Sequence, residues 1–173
     1  MKSIFKNFAF IAAAALIFSS CGKDYIAVPT EVEAPNPMRG SFEAMYNDEF
    51  TFTANEKVVR DTTVEGSRSI TIYAREYNEF MSDSSYRVII LSVANFQGPG
   101  TYAVDWYTTG TSITNVVDNN IYNYLAVQNE EGSHITFTQA GGGKYEGSFQ
   151  FNAKSTNSSE IIKLTNGTFS IPR

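Results

Sequence analysis

Tyr145-Glu146-Gly147-Ser148-Phe149-Gln150-Phe151-Asn152-Ala153 decides the fold class of this 173-residue chain. Its odd positions hold rings and small residues and its even positions are polar, the period of two that marks a half-buried strand. Gly141-Gly142-Gly143 before it is turn chemistry, and Ile135 and Phe137 before that turn repeat the alternation, which predicts a hairpin. On the other side a last strand is expected from Ile161 to Ile171. Its inward parity switches between Leu164 and Phe169, which predicts a β-bulge near Asn166-Gly167.

The same period recurs upstream. Phe42, Ala44 and Tyr46 share one face, Asn47-Asp48 turns the chain, and Phe50, Phe52 and Ala54 resume the pattern. Val58, Val59 and Val64 suggest an edge strand. Ile70, Ile72 and Ala74 alternate with Thr71, Tyr73 and Arg75, so that strand shows its second face to solvent or to a shallow groove. Val88-Ile89-Ile90-Leu91 is apolar at successive positions, as in a central strand covered on both faces. After Gly98-Pro99-Gly100, Tyr102, Val104 and Trp106 alternate with Ala103 and Asp105, a polar Thr- and Asn-rich loop follows, and Ile121 to Val127 forms another strand. Residues 39–173 lack a helical period, so the expected fold is all-β, with about nine strands in a single antiparallel β-sandwich or flattened barrel, a lipocalin-like barrel being the alternative.

Residues 1–20 have a different character. Lys2 and Lys6 precede an apolar stretch from Phe8 to Phe18 and the small pair Ser19-Ser20, the layout of a secretory signal. The stretch is short of the ~20 apolar residues of a spanning helix. The sole cysteine, Cys21, comes next, and Ile17-Phe18-Ser19-Ser20-Cys21 resembles the bacterial lipobox. That resemblance implies cleavage before Cys21, a diacylglyceryl group on its sulfur, acylation of the freed amine, and hence a palmitate-type anchor. More than one acyl chain makes such anchoring stable. Residues 21–38, with Pro29, Pro35 and Pro37, read as a lipidated cysteine and extended tether, reaching roughly 50 Å at about 3.1 Å per residue. Residues 39–173 form the β domain. Loss of Lys2 and Lys6 with the signal takes the formal charge from −5 to −7, a poor match to nucleic acid or to an anionic bilayer surface.

Gly40-Ser41-Phe42-Glu43-Ala44, Gly98-Pro99-Gly100-Thr101-Tyr102, Tyr145 to Phe151 and Leu164-Thr165-Asn166-Gly167-Thr168-Phe169 together resemble a family of small uncharacterised all-β lipoproteins of Bacteroidota, over residues 40–173. The resemblance implies a lipid-anchored cell-envelope protein at the outer membrane, with no assigned activity and no catalytic residues to carry over. Surface export in such lipoproteins goes with acids directly after the cysteine. Gly22-Lys23-Asp24 supplies one, which leaves the membrane face open. Asp61-Thr62-Thr63 resembles the acid-hydroxyl motif that Bacteroidota use for O-glycosylation of exported proteins.

Chemistry-bearing patterns are sparse. His134, the sole histidine, falls on the outward face of its strand, and no Gly-x-Ser-x-Gly elbow accompanies Ser133-His134. Asp105 beside Trp106, with Glu146 or Glu76, is the one set that invites a glycosidase reading, and outward strand acids are ordinarily a solvated face. Asp118-Asn119-Asn120 and Asn47-Asp48-Glu49 are oxygen-rich without EF-hand spacing, so they read as turns ahead of an ion site. Gly141-Gly142-Gly143-Lys144 lacks phosphate-loop spacing and precedes a strand. No cofactor, metal or catalysis is expected.

Aromatic residues carry the binding reading. Tyr122 and Tyr124, with Trp106 or Tyr107, make a stacking platform for a glycan or small ligand if their face is exposed, and core rings if it is not. The expected function is a membrane-anchored binding module, with a structural or protein-interaction role at the envelope as the alternative and a polysaccharide-acting enzyme behind both.

Overall fold

The computed structural model describes residues 39–77, 85–105 and 109–173. Cys21, the signal, the tether up to Met38, Trp106 and Tyr107 lie outside the described residues. Within them the chain is all-β, with eleven antiparallel strands: β1 Ser41–Tyr46, β2 Phe50–Thr53, β3 Glu56–Val64, β4 Ser67–Tyr77, β5 Tyr86–Val93, β6 Gly100–Ala103, β7 Ser112–Val117, β8 Asn120–Ala126, β9 His134–Gly141, β10 Lys144–Ser155 and β11 Ile161–Pro172. Nine of them follow one path, β2-β1-β11-β10-β8-β7-β5-β4-β3, while β9 pairs the first part of β10 and β6 pairs β9.

Chain connectivity curls this sheet into a half-barrel. The two ends of the path, β2 and β3, are successive strands separated only by Ala54 and Asn55. One bent segment therefore pairs with β1 along its first half and with β4 along its second. The corner is bonded on both sides. Ala54 N–H donates to the Phe42 carbonyl at 3.0 Å, and Asn55 N–H donates to the Arg75 carbonyl at 2.8 Å. Lys57 is buried at this corner and donates to the Ala54 carbonyl at 2.9 Å, and burial pushes its ammonium pKa down.

β10 makes the opposite corner. Lys144 to Gln150 pair with β9 and Ala153 to Ser155 with β8, while nearly its whole length pairs with β11. The expected bulge is present in β11: Phe149 faces Gly167 but Phe151 faces Leu164, and β1 sees the same extra residue, with Glu43 opposite Thr168 and Met45 opposite Thr165. Asn166 adopts φ 52°, a conformation that Asn tolerates better than most residues.

Two glycines set how closely these strands pack. Phe169 sits opposite Gly147 and Phe149 opposite Gly167, so each ring occupies the space that a side chain would need. A Cβ on Gly147 would lie 1.9 Å from the Thr136 carbonyl oxygen and 2.6 Å from Phe169 Cζ, and one on Gly167 would lie 2.6 Å from the Phe149 ring. Fully buried Phe42, Phe52, Phe149, Ile70, Ile72, Ile89 and Leu91 occupy the interior. Phe42 packs edge-on against Phe52 at 5.9 Å and tilted on Phe149 at 5.0 Å.

Tight hairpins join the strands. Glu65-Gly66, Asp118-Asn119 and Gly142-Gly143 each place two successive residues at positive φ, the type I′ pattern that matches strand twist. Asp118-Asn119-Asn120 thus forms a turn. Among the described residues no group of three or more His, Cys, Asp or Glu gathers to hold a metal ion.

Nine strands on the main path agree with the expected number, with β6 and β9 beside it, but one loop differs from expectation: β7 lies inside the expected Thr- and Asn-rich loop. Its inward positions are Ile113, Asn115 and Val117, and a polar middle residue hides the alternation. Asn115 is accommodated because its Nδ2 donates to the Tyr46 hydroxyl at 2.8 Å. Conversely, the strand expected through Trp106 ends at Ala103, and buried Val104 lies beyond it.

One end of the half-barrel is tied by charge. Arg68 donates twice to Asp61, at 2.9 and 2.7 Å, and the Tyr145 hydroxyl donates to Asp61 Oδ2 at 2.7 Å, joining β4 and β10 to β3. The Arg68 hydrogen bonds hold the Asp61 carboxyl down at about 2, with that of Tyr145 adding to the effect.

Two stability predictions arise here. Gly147→Ala and Gly167→Ala each lower unfolding free energy in urea by about 1–3 kcal/mol through overpacking. Gly110→Ala, whose Cβ would meet nothing nearer than 3.7 Å, changes it by no more than about 0.5 kcal/mol. Equal effects at all three positions would contradict the packing argument. The second concerns acid. Because the Asp61 carboxyl is depressed from an unfolded value of about 3.9, its contribution is present above pH ~4 and is lost as pH falls through about 2. The urea midpoint of the native chain should fall across that window, and less steeply in Asp61→Asn.

Candidate functional site

The central strand β5 is apolar on both faces, as its run of four apolar residues implies. Ile89, Leu91 and Val93 face the interior, while Val88 and Ile90 face outward with Val88 only 3% exposed. An outward apolar position needs cover, and the neighbouring outward positions supply it with long amphipathic side chains. In register these form cross-strand rows. Tyr77 lies opposite Tyr86, Tyr86 opposite Val116 and Val116 opposite Ile121. In the adjoining row Glu56 lies opposite Arg75, Arg75 opposite Val88 and Val88 opposite Thr114. The next row begins with Val58, Tyr73 and Ile90.

Arg75 is the centre of this face. Tyr73 and Tyr77, two residues before and after it on β4, are its same-face neighbours, and Tyr86 joins from β5. Its guanidinium carbon lies 4.8 Å from the Tyr86 ring centroid, 5.4 Å from that of Tyr73 and 5.6 Å from that of Tyr77, all within cation–π range. Nη1 donates to the Tyr77 hydroxyl at 2.7 Å, and Nη2 and Nε donate to the Tyr73 hydroxyl at 2.6 and 3.2 Å. The Tyr77 hydroxyl, in turn, donates to Glu56 Oε2 at 3.3 Å, and Glu56 stands 3.5 Å from Arg75 Nη1. The Tyr77 and Tyr73 oxygens raise the Arg75 pKa further above its already high value. Arg75 keeps 29% of its side-chain surface exposed and Tyr77 39% of its surface, so the cluster is held in place yet reachable.

This arrangement can stack and hydrogen-bond at once. Tyrosine offers rigid contact area at low conformational-entropy cost. An arginine already fixed by three rings and two hydroxyls loses little further freedom when a ligand arrives.

The residues expected to form a platform are placed elsewhere. Tyr122 and Tyr124 share a face, but that face is the inward one, opposite Asn115 and Ile113. Tyr124 is 4% exposed and donates its hydroxyl to Glu160 at 3.0 Å, and burial together with the Glu160 carboxylate pushes it up to about 12. Its ring belongs to the core, so the exposed platform does not form there. Tyr122, toward the end of the half-barrel, is 47% exposed.

Other candidate groups are likewise dispersed. Glu76 points inward, where Arg87 pairs with it at 3.1 Å and Thr53 N–H donates to it at 2.9 Å. Glu146 points outward on β10 and pairs with Lys144, so the two acids do not face a common cleft. His134 is outward, as its parity implied, and its Nδ1 donates to the Gly132 carbonyl at 2.7 Å. A shallow depression of about 130 Å³ lies over the β11 bulge, among Glu130, Gln150, Asn152 and Lys163. Its polar groups are already bonded to one another: Asn152 donates to Glu130 and Gln150 to the Gly132 carbonyl.

The tyrosines of the β4–β5 face had a sequence signal, because Tyr73 and Arg75 alternate with Ile72 and Ala74. Recruitment of Tyr86 needed the β4–β5 register. No family model, curated protein or solved structure matches the chain.

Proposed function

We propose that this chain is a cell-envelope lipoprotein, anchored through Cys21 to the outer membrane, whose non-catalytic β domain binds a glycan on the Tyr73, Arg75, Tyr77 and Tyr86 face. The observation that carries the binding reading is a partly exposed, cross-braced cluster of three tyrosines around one arginine. Pyranose rings present an apolar C–H face suited to tyrosine and hydroxyls suited to guanidinium and carboxylate. Interior positions support this placement, since large apolar side chains fill them. A second reading, as a protein-interaction component of the envelope, is favoured by Ile121, Leu125 and Ile161, which are 62%, 51% and 54% exposed. Leu125 and Ile161 flank Lys154 in a single cross-strand row.

A glycan array probed with the mature chain, residues 21–173 carrying Cys21→Ala, tests the first reading. Binding to at least one glycan is expected, and Tyr77→Ala or Tyr86→Ala should weaken it at least about tenfold, about 1.4 kcal/mol. Absence of glycan binding with retained capture of an envelope protein dependent on Leu125 and Ile161 would favour the second. Anchoring has its own test: the native chain should sediment with membranes and Cys21→Ala should be released, whereas equal sedimentation would sink the lipid anchor.

A further inference from the structure

We propose that the ligand of the tyrosine–arginine face is an acidic saccharide, a glycan bearing uronic-acid carboxylates, with Arg75 as the carboxylate receptor. This inference rests on the face being a glycan site and adds the charge of the glycan.

Donor counting is the first support. A guanidinium has five N–H groups. Tyr73 and Tyr77 accept three hydrogen bonds from Arg75, leaving two N–H groups without a close hydrogen-bond acceptor among the described residues. Glu56 is near, at 3.5 Å, but more than a third exposed and too distant for a good hydrogen bond. A ligand carboxylate at ordinary charge-assisted distance engages those donors better than Glu56 does.

Local charge is the second. The chain is acidic overall, at −5. On the outward positions of β3, β4, β5, β7 and β8, however, the described charges are Glu56, Arg60 and Arg75, so this face is net positive on an otherwise acidic protein. A neutral glycan has no use for that inversion, whereas an anionic one is drawn to this face in preference to the rest of the surface. Geometry is the third. Tyr77 and Tyr86, with ring centroids 6.3 Å apart, both lie within 5.6 Å of the guanidinium carbon, so the carboxylate of a sugar ring stacked on either has Arg75 as its nearest cation.

Isothermal titration of residues 21–173 carrying Cys21→Ala, against a galacturonic-acid hexamer and against the same hexamer fully methyl-esterified, tests the charge separately from the platform. The acid should bind and the ester at least about tenfold more weakly, with added salt weakening only the acid. Arg75→Lys keeps the charge but loses the planar fork, so it should lower affinity for the acid at least about fivefold. Glu56→Gln removes the competing carboxylate and should tighten the acid about two- to fivefold without altering the ester. Equal binding of acid and ester, or indifference of acid binding to both variants, overturns the acidic inference and leaves the glycan site standing. Failure of both hexamers beside array binding of a neutral glycan does the same. If no glycan of either charge binds, both the inference and the site are wrong.

Discussion

The close approach of β10 and β11, with Phe169 against Gly147 and Phe149 against Gly167, is the contact on which the rest of the structure depends. Any side chain at either glycine would collide with a ring or a backbone oxygen. Held together there, β10 can share its length between β9 and β8, and β11 can take up an extra residue at its bulge without losing its pairing to β1. Both rings also belong to the core. Phe149 reaches Phe42 at 5.0 Å, and Phe169 reaches Phe137 at 5.2 Å. Across the half-barrel the bent β2–β3 segment completes the curl, with β1 paired to its first half and β4 to its second.

A curled sheet with a filled interior displaces function to its outer surface. Phe42, Phe52, Phe149 and the buried isoleucines take up the inside, and Tyr46 and Tyr124 direct their hydroxyls to Asn115 and Glu160. What remains outward on β10 and β11 is largely polar and mutually bonded. On β3, β4 and β5 it is aromatic and cationic, because Val88 and Ile90 need cover. The same side chains that shield those residues present a braced arginine between tyrosine rings. A structural need and a binding capacity therefore coincide at Tyr73, Arg75, Tyr77 and Tyr86.

Much of the fold was legible in alternation. The hairpins at Asn47-Asp48 and at the Gly141 triplet, the two-sided burial of β5 and the bulge at Asn166 all follow from local patterns that no distant contact overrides. β7 was not legible, because Asn115 takes an inward position that only the Tyr46 hydroxyl, far away in sequence, makes tolerable. The site was half legible. Period-two reasoning put Tyr73 and Arg75 on an open face, but it also put Tyr122 and Tyr124 on a single face without saying which face was inside. That choice depends on which strands lie over β8, a property of the whole sheet. Tyr86 joined the site only through register with Tyr77.

The central claim, that ligand is met on the outer face of β3–β5 and not inside the half-barrel, is tested most directly by methyl NMR. The uronate hexamer would be titrated into the mature chain carrying Cys21→Ala. The account predicts that the methyl signals of outward Val58, Val88 and Ile90 shift with ligand while those of inward Ile70, Ile72, Ile89 and Ile113 stay in place. Shifts confined to the inward set, or to residues around Tyr122, would contradict it.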